Sequence, residues 1–152
     1  MSLNILIVED NPHKRLRIVE YLNTAHADVK VTEKWSFTSG NQALLHSVFD
    51  LVLLDISLPT YDRIGSESGG RFRTLGGREI ARKIARSNIP TKIIFVTQYD
   101  AFSDKGTSYS FDSLKSELKR ECGERFVGMV FFNSTQTTWK EVISKAIESI
   151  RT

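Results

Sequence analysis

Three short aliphatic runs constrain this chain more than anything else in it: Ile5-Leu-Ile-Val8, Leu51-Val-Leu-Leu54 and Ile93-Ile-Phe-Val96. Each is continuous rather than alternating, and each stops abruptly at oxygen-bearing side chains: Glu9-Asp10, Asp55 and Thr97. A run of this length and character reads as a strand buried on both faces, the kind found in parallel sheets. Between the runs the pattern changes to helical spacing. After Asn4 to Asp10, Asn11 is a helix cap and Pro12 suits a first turn, with Leu16, Val19, Tyr21, Leu22 and Ala25 along the stripe. Val29 to Trp35 alternates like a half-exposed edge strand, and Ser39 or Gly40 opens a helix through Ala43, Leu44, Leu45 and Val48.

Asp50 to Asp55 is followed by a long loop and a helix from about Gly77 to Ser87. Lys92 to Thr97 is followed by another long segment, Gln98 to Phe111, and a helix near Asp112 to Cys122. Phe126 to Phe132 is a fifth strand, with Phe131 and Phe132 expected in the core. Thr137 or Thr138 caps a last helix that buries Trp139, Val142, Ile143, Ala146, Ile147 and Ile150. Five strands alternating with helices imply a doubly wound α/β sandwich, because parallel strands need crossovers. At 152 residues the chain fits one domain, 1–152, around one sheet.

Ligands of open α/β sheets collect outside the carboxyl ends of the central strands. There this sequence gathers three carboxylates and a hydroxyl. Acids crowded so closely repel one another unless a cation neutralises them, and hard oxygen donors suit Mg²⁺. A carboxylate such as Asp55 can then serve as a nucleophile toward a phosphoryl group.

On these residues the sequence resembles the receiver domains of bacterial response regulators. The acid pair Glu9-Asp10 follows the first strand, Asp55 stands as phosphoacceptor with Leu58-Pro59 just beyond, and Thr97 is the hydroxyl closing the fourth strand. The resemblance covers nearly the whole chain. It implies a flavodoxin-like fold with sheet order 2-1-3-4-5, and phosphoryl transfer from a histidine kinase or phosphotransfer protein. It also implies Mg²⁺ held by Glu9 or Asp10, by Asp55, and by the backbone carbonyl of Ser57, with output through a downstream protein partner. So read, the protein is not an enzyme beyond its own phosphorylation and dephosphorylation.

Three departures from the family pattern stand out. The lysine expected at the end of the fifth strand is missing, with Phe132 or Asn133 in its place; Lys14, Arg71, Arg73, Arg78 and Lys140 are the candidate substitutes. Residues 63–75 are a basic, glycine-rich insertion (Arg63, Arg71, Arg73; Gly65, Gly69, Gly70, with Gly76 and Gly77 at its exit), expected to be a mobile loop beside Asp55. Gln98 to Phe111 is longer than the usual link and is expected to be a second flexible loop.

Other function classes find less support. The excess of Lys and Arg over Asp and Glu (21 against 18) is small and dispersed, so direct nucleic-acid binding is not expected. No apolar run approaches a membrane span, no secretory signal opens the chain, and the lone Cys122 fits a reducing cytoplasm. His13, His26 and His46 have no metal-ligand spacing. Two alternatives remain open: a degenerate receiver serving only as an interaction module, and a phosphohydrolase, against which Ser57 stands where a second acid is usual.

Overall fold

A computed structural model describes residues 2–63 and 68–151. A five-stranded, all-parallel sheet forms from β1 (Leu3–Val8), β2 (Val29–Lys34), β3 (Leu51–Leu54), β6 (Lys92–Thr97) and β9 (Phe126–Phe131). Its order is β2-β1-β3-β6-β9, which is 2-1-3-4-5 when only these strands are counted. Alternate residues of the aliphatic runs face opposite ways. Leu6, Val8, Val52, Leu54, Ile93 and Phe95 pack under α2 (Phe37–His46), α3 (Gly76–Arg86) and α4 (Phe111–Cys122). Ile5, Ile7, Leu51, Leu53, Ile94 and Val96 pack under α1 (Pro12–Ala25) and α5 (Thr138–Arg151). Both faces are covered, which is why the central strands carry no polar alternation.

Local chemistry sets the helix ends. Asn11 caps α1 by accepting from the backbone N–H groups of His13 and Lys14. α2 starts two residues ahead of the expected Ser39, because Ser36 and Ser39 form a reciprocal capping box. It ends at His46, short of the expected Val48, and Leu45 on the helix and Val48 beyond it are 81% and 70% exposed. In α1 the buried stripe is Lys14, Ile18 and Leu22, while Leu16 points outward. Phe131 also faces out from the edge strand; Phe132 alone of that pair is core.

The segment 98–111 is not an irregular loop. It forms an antiparallel hairpin of β7 (Ala101–Asp104) and β8 (Thr107–Ser110), turned by Lys105 and Gly106, both at positive φ. Two such residues match the right-handed twist of the strands. The hairpin holds because Phe102 is buried and its cross-strand partner Tyr109 packs on the same core. Serine-rich composition had masked an alternation anchored at these two aromatics.

The described part of the insertion is likewise paired. β4 (Leu58–Pro59) and β5 (Phe72–Arg73) run antiparallel, extended by Thr60 and Tyr61 donating to the carbonyls of Arg71 and Gly69. Residues 64–67, Gly65 among them, lie outside the described residues. Gly76 and Gly77, at the exit of that insertion, form the buried first turn of α3, within a residue of the helix start expected at about Gly77.

α3 and α4 are joined by an ionic cluster. Arg78, 6% exposed, donates to Glu121 at 2.7 and 3.1 Å and to Glu117 at 3.0 Å, and Arg82 adds 2.9 Å to Glu121. Burial acts to raise the Glu121 carboxyl, but the hydrogen bonds from Arg78 and Arg82 prevail and hold it at about 2, below its ordinary 4.5. A carboxyl depressed on folding stabilises the native state above its unfolded pKa, and that contribution is lost as pH falls towards the folded one. Glu121→Gln is therefore expected to cost about 1–2 kcal/mol at neutral pH, discounted for partial exposure and the remaining Glu117 partner. In urea unfolding the gap between parent and variant should close between pH 4.5 and about 2; a gap constant with pH would show that the cluster contributes packing alone.

Candidate phosphoacceptor site

The register of the parallel strands brings the acids together. Val8 stands opposite Leu54, and Leu54 opposite Phe95, so the residues that follow emerge along one edge of the sheet. The Asp55 N–H donates to the Val8 carbonyl at 3.1 Å, fixing Asp55 beside Glu9. Glu9, Asp10, Asp55 and Ser57 line a common cavity of about 190 Å³, with Arg63 and Gln98 at its walls.

Asp55 is 7% exposed, and its Oδ1 accepts the Ile56 N–H at 2.7 Å. Glu9 is 2% exposed; its Oε2 accepts from the Asn11 N–H at 3.0 Å and its Oε1 lies 2.6 Å from the Lys14 ammonium. Burial, reinforced by repulsion from Asp55, pushes the Glu9 carboxyl well above its ordinary range, against the pull of Lys14. Asp10 is raised by burial too, while Arg63, 3.5 Å away, lowers it. The Ser57 hydroxyl donates to the Thr74 carbonyl at 2.6 Å, which leaves the backbone carbonyl as the group this residue can offer an ion.

Thr97 is the one expected site residue that does not line this cavity. It is fully buried, and its hydroxyl accepts the Tyr99 N–H at 3.1 Å.

The donor set suits Mg²⁺. Among the described residues no three His, Cys, Asp or Glu side chains converge as a protein cage. Mg²⁺ seldom uses one: it binds through one or two carboxylates and keeps several waters. Glu9 or Asp10, with Asp55 and the Ser57 carbonyl, would be the groups to hold it. Glu9 also accepts from the Asn11 N–H and pairs with Lys14, which ties the first turn of α1 to the site.

Of the five candidate substitute cations only Lys14 reaches the site. Its Nζ lies 3.5 Å from Asp55 Oδ2. Arg78 belongs to the α3–α4 cluster, Arg73 pairs with Glu79, Lys140 lies over the Tyr21 and Trp139 rings, and Arg71 is exposed. The signal for Lys14 was in the sequence: Lys14, Ile18 and Leu22 are spaced four apart, which places a lysine at the head of the buried stripe. The histidines are not part of the site. His13 is exposed, as is His46, and His26 is buried against Ser144 at 2.9 Å.

Comparison with known proteins gives the family and the fold. The chain is 30% identical over 150 residues to the Detocs response regulatory protein DtcB of Enterobacter cloacae, covering 97% of this chain and 100% of that one. It is 31% identical over 148 residues to the uncharacterized protein y4jR of Sinorhizobium fredii, covering 95% and 96%. Among solved structures, the response regulatory domain of mrkE from Klebsiella pneumoniae superposes with a TM-score of 0.68 at 15% identity, over 98% of each chain. The response regulator TrrA of Thermotoga maritima, solved in complex with Mg²⁺ and BeF, superposes at 0.61 and 20% identity, over 96% of this chain and 99% of that one. Residues 5–113 match the response regulator receiver domain, and it is to this family of two-component signalling proteins that the chain belongs.

Proposed function

We propose that the protein accepts a phosphoryl group on Asp55 from a histidine kinase or phosphotransfer protein, in a Mg²⁺-dependent reaction, and signals through contacts with a downstream protein. The observation that carries this reading is the placement of Asp55. It ends a central strand, in a cavity shared with Asp10 and Ser57 and within reach of a buried cation. Bound Mg²⁺ supplies charge neutralisation for the phosphoryl oxygens. The chain's own residues do the rest: the Ile56 N–H orients one Asp55 oxygen, and Glu9 keeps α1 seated over the site.

The reading has no separate small-molecule substrate, so the protein acts as a phosphoacceptor rather than an enzyme. Among the described residues no helix is long and apolar enough to cross a membrane, which is compatible with work in the cytoplasm. A phosphorylation-independent interaction module is the competing reading, favoured by Phe132 and Asn133 where the family places its lysine. Phe132 is buried, and Asn133 accepts from the Thr135 N–H and hydroxyl, so neither supplies a charge.

Intact-protein mass after incubation with acetyl phosphate and Mg²⁺ separates the two. The parent should gain one phosphate, Asp55→Asn none, and a chelator should abolish the gain. A parent that neither gains phosphate nor binds beryllofluoride would be the interaction module.

A further inference from the structure

A lysine in the first turn of a helix is misplaced by every local rule. Lys14 is the third residue of α1, where the partial positive charge of the helix end opposes a cation. It is also 1% exposed, and a buried ammonium is costly unless it is paired and fully hydrogen-bonded. Three oxygens surround it: Glu9 Oε1 at 2.6 Å, the Val96 carbonyl at 2.8 Å and, at ion-pair distance, Asp55 Oδ2 at 3.5 Å. One ammonium thus touches the carboxyl ends of three adjacent strands. Among the described residues no other cation forms an ion pair with Asp55.

Where the family places its lysine, Phe132 is buried and packs on Trp139 with ring centroids 5.2 Å apart.

Resting on the phosphoacceptor reading, we propose that Lys14 takes over the task of the absent fifth-strand lysine: it pairs with Asp55 in the resting protein and with a phosphoryl oxygen after transfer. In the step itself an Asp55 carboxylate oxygen attacks phosphorus of an acyl phosphate or phosphohistidine. The new O–P bond forms as the old bond to the donor breaks, and the donor leaves with that electron pair. Lys14 keeps its protons throughout. Its longest contact, the 3.5 Å ion pair with Asp55, is the one free to shift to the incoming group, while Glu9 and Val96 hold the ammonium in place.

The test compares the parent with Lys14→Met, reading phosphoryl uptake from acetyl phosphate, Mg²⁺ affinity by titration, and the melting transition. Uptake in the variant should slow about a hundredfold, the scale of losing one preorganised ionic donor to developing charge. Mg²⁺ affinity should hold or tighten, since a positive charge beside the metal has gone. Uptake at the parent rate overturns the proposal. So does loss of Mg²⁺ binding together with uptake, which would make Lys14 a prop for the acidic cluster.

A parent that takes up no phosphate fails the phosphoacceptor reading itself, and the Lys14 role with it. Should the variant not fold, the parent decides: with isotope-labelled lysine, the Lys14 ammonium resonance should move when beryllofluoride joins Mg²⁺. A resonance that stays in place rejects the assignment.

Discussion

Gly77→Ala should lower stability by about 3 kcal/mol, towards the upper end of what overpacking costs, and so depress the melting temperature by roughly 6–12 °C. A Cβ at Gly77 would lie 2.0 Å from the Asp55 carbonyl oxygen and 3.0 Å from both the Asp55 carbonyl carbon and Ile56 Cα. These are backbone atoms, so no rotamer change relieves the overlap. Either the start of α3 lifts away or the peptide that carries the phosphoacceptor moves, and the 2.8 Å bond from the Gly77 N–H to the Ile56 carbonyl is strained in both cases. The better helix propensity of alanine offsets only about 1 kcal/mol. Gly76→Ala is the control. Its Cβ would meet the Arg73 and Leu58 side chains at 3.2 and 3.3 Å, contacts that can give by a few tenths of an ångström. Thermal melts of the two variants should differ by most of the full effect, and phosphoryl uptake should fall in Gly77→Ala alone. Equal melts would show that the α3–β3 junction is soft.

That contrast marks how far the sequence could be read. The five sheet strands and the edge where the acids meet were legible in the aliphatic runs and the oxygen-bearing residues that end them, while the strand order came from the resemblance to receiver domains. The helix start at about Gly77 was legible, but its two glycines were counted among signs of mobility, since composition does not distinguish a flexible glycine from one whose missing Cβ lets two backbones touch. The hairpin at 101–110 was missed for a related reason. Its turn is Lys105-Gly106 rather than an Asn-Gly pair, and only Phe102 and Tyr109 anchor it.

The site was legible in its acids, whereas its cation was signalled only by the spacing of Lys14 ahead of Ile18 and Leu22. Glu9, Asp10 and Asp55 follow from strand ends, which are local features, and Ser57 from the resemblance. The role of Lys14 depends on which side of α1 faces the sheet, and on an apolar cluster some 120 residues away having filled the place where a lysine is expected. Charge counting left five candidates; packing left one.

That apolar cluster carries the second large expected effect. Trp139→Ala should cost about 3–5 kcal/mol, the usual range for truncating a buried large aromatic. Trp139 is 1% exposed, at the start of α5, with Phe132 at 5.2 Å on one side and Tyr21 edge-on at 5.6 Å on the other. It therefore joins α5, β9 and α1, the same helix that delivers Lys14. Yet its indole Nε1 is buried with no hydrogen-bond partner among the described residues. An orphaned buried donor costs about 1–3 kcal/mol, so the tryptophan is retained for its volume despite its nitrogen. This makes Trp139→Phe informative. The smaller ring loses some contact but removes the orphan, and the two effects should cancel to within about 1 kcal/mol. Denaturant unfolding should therefore find Trp139→Phe near the parent and Trp139→Ala far below it. If phenylalanine were nearly as damaging as alanine, the indole N–H would have an acceptor in solution, and the polar contact rather than the packing would be what holds α5 against β9.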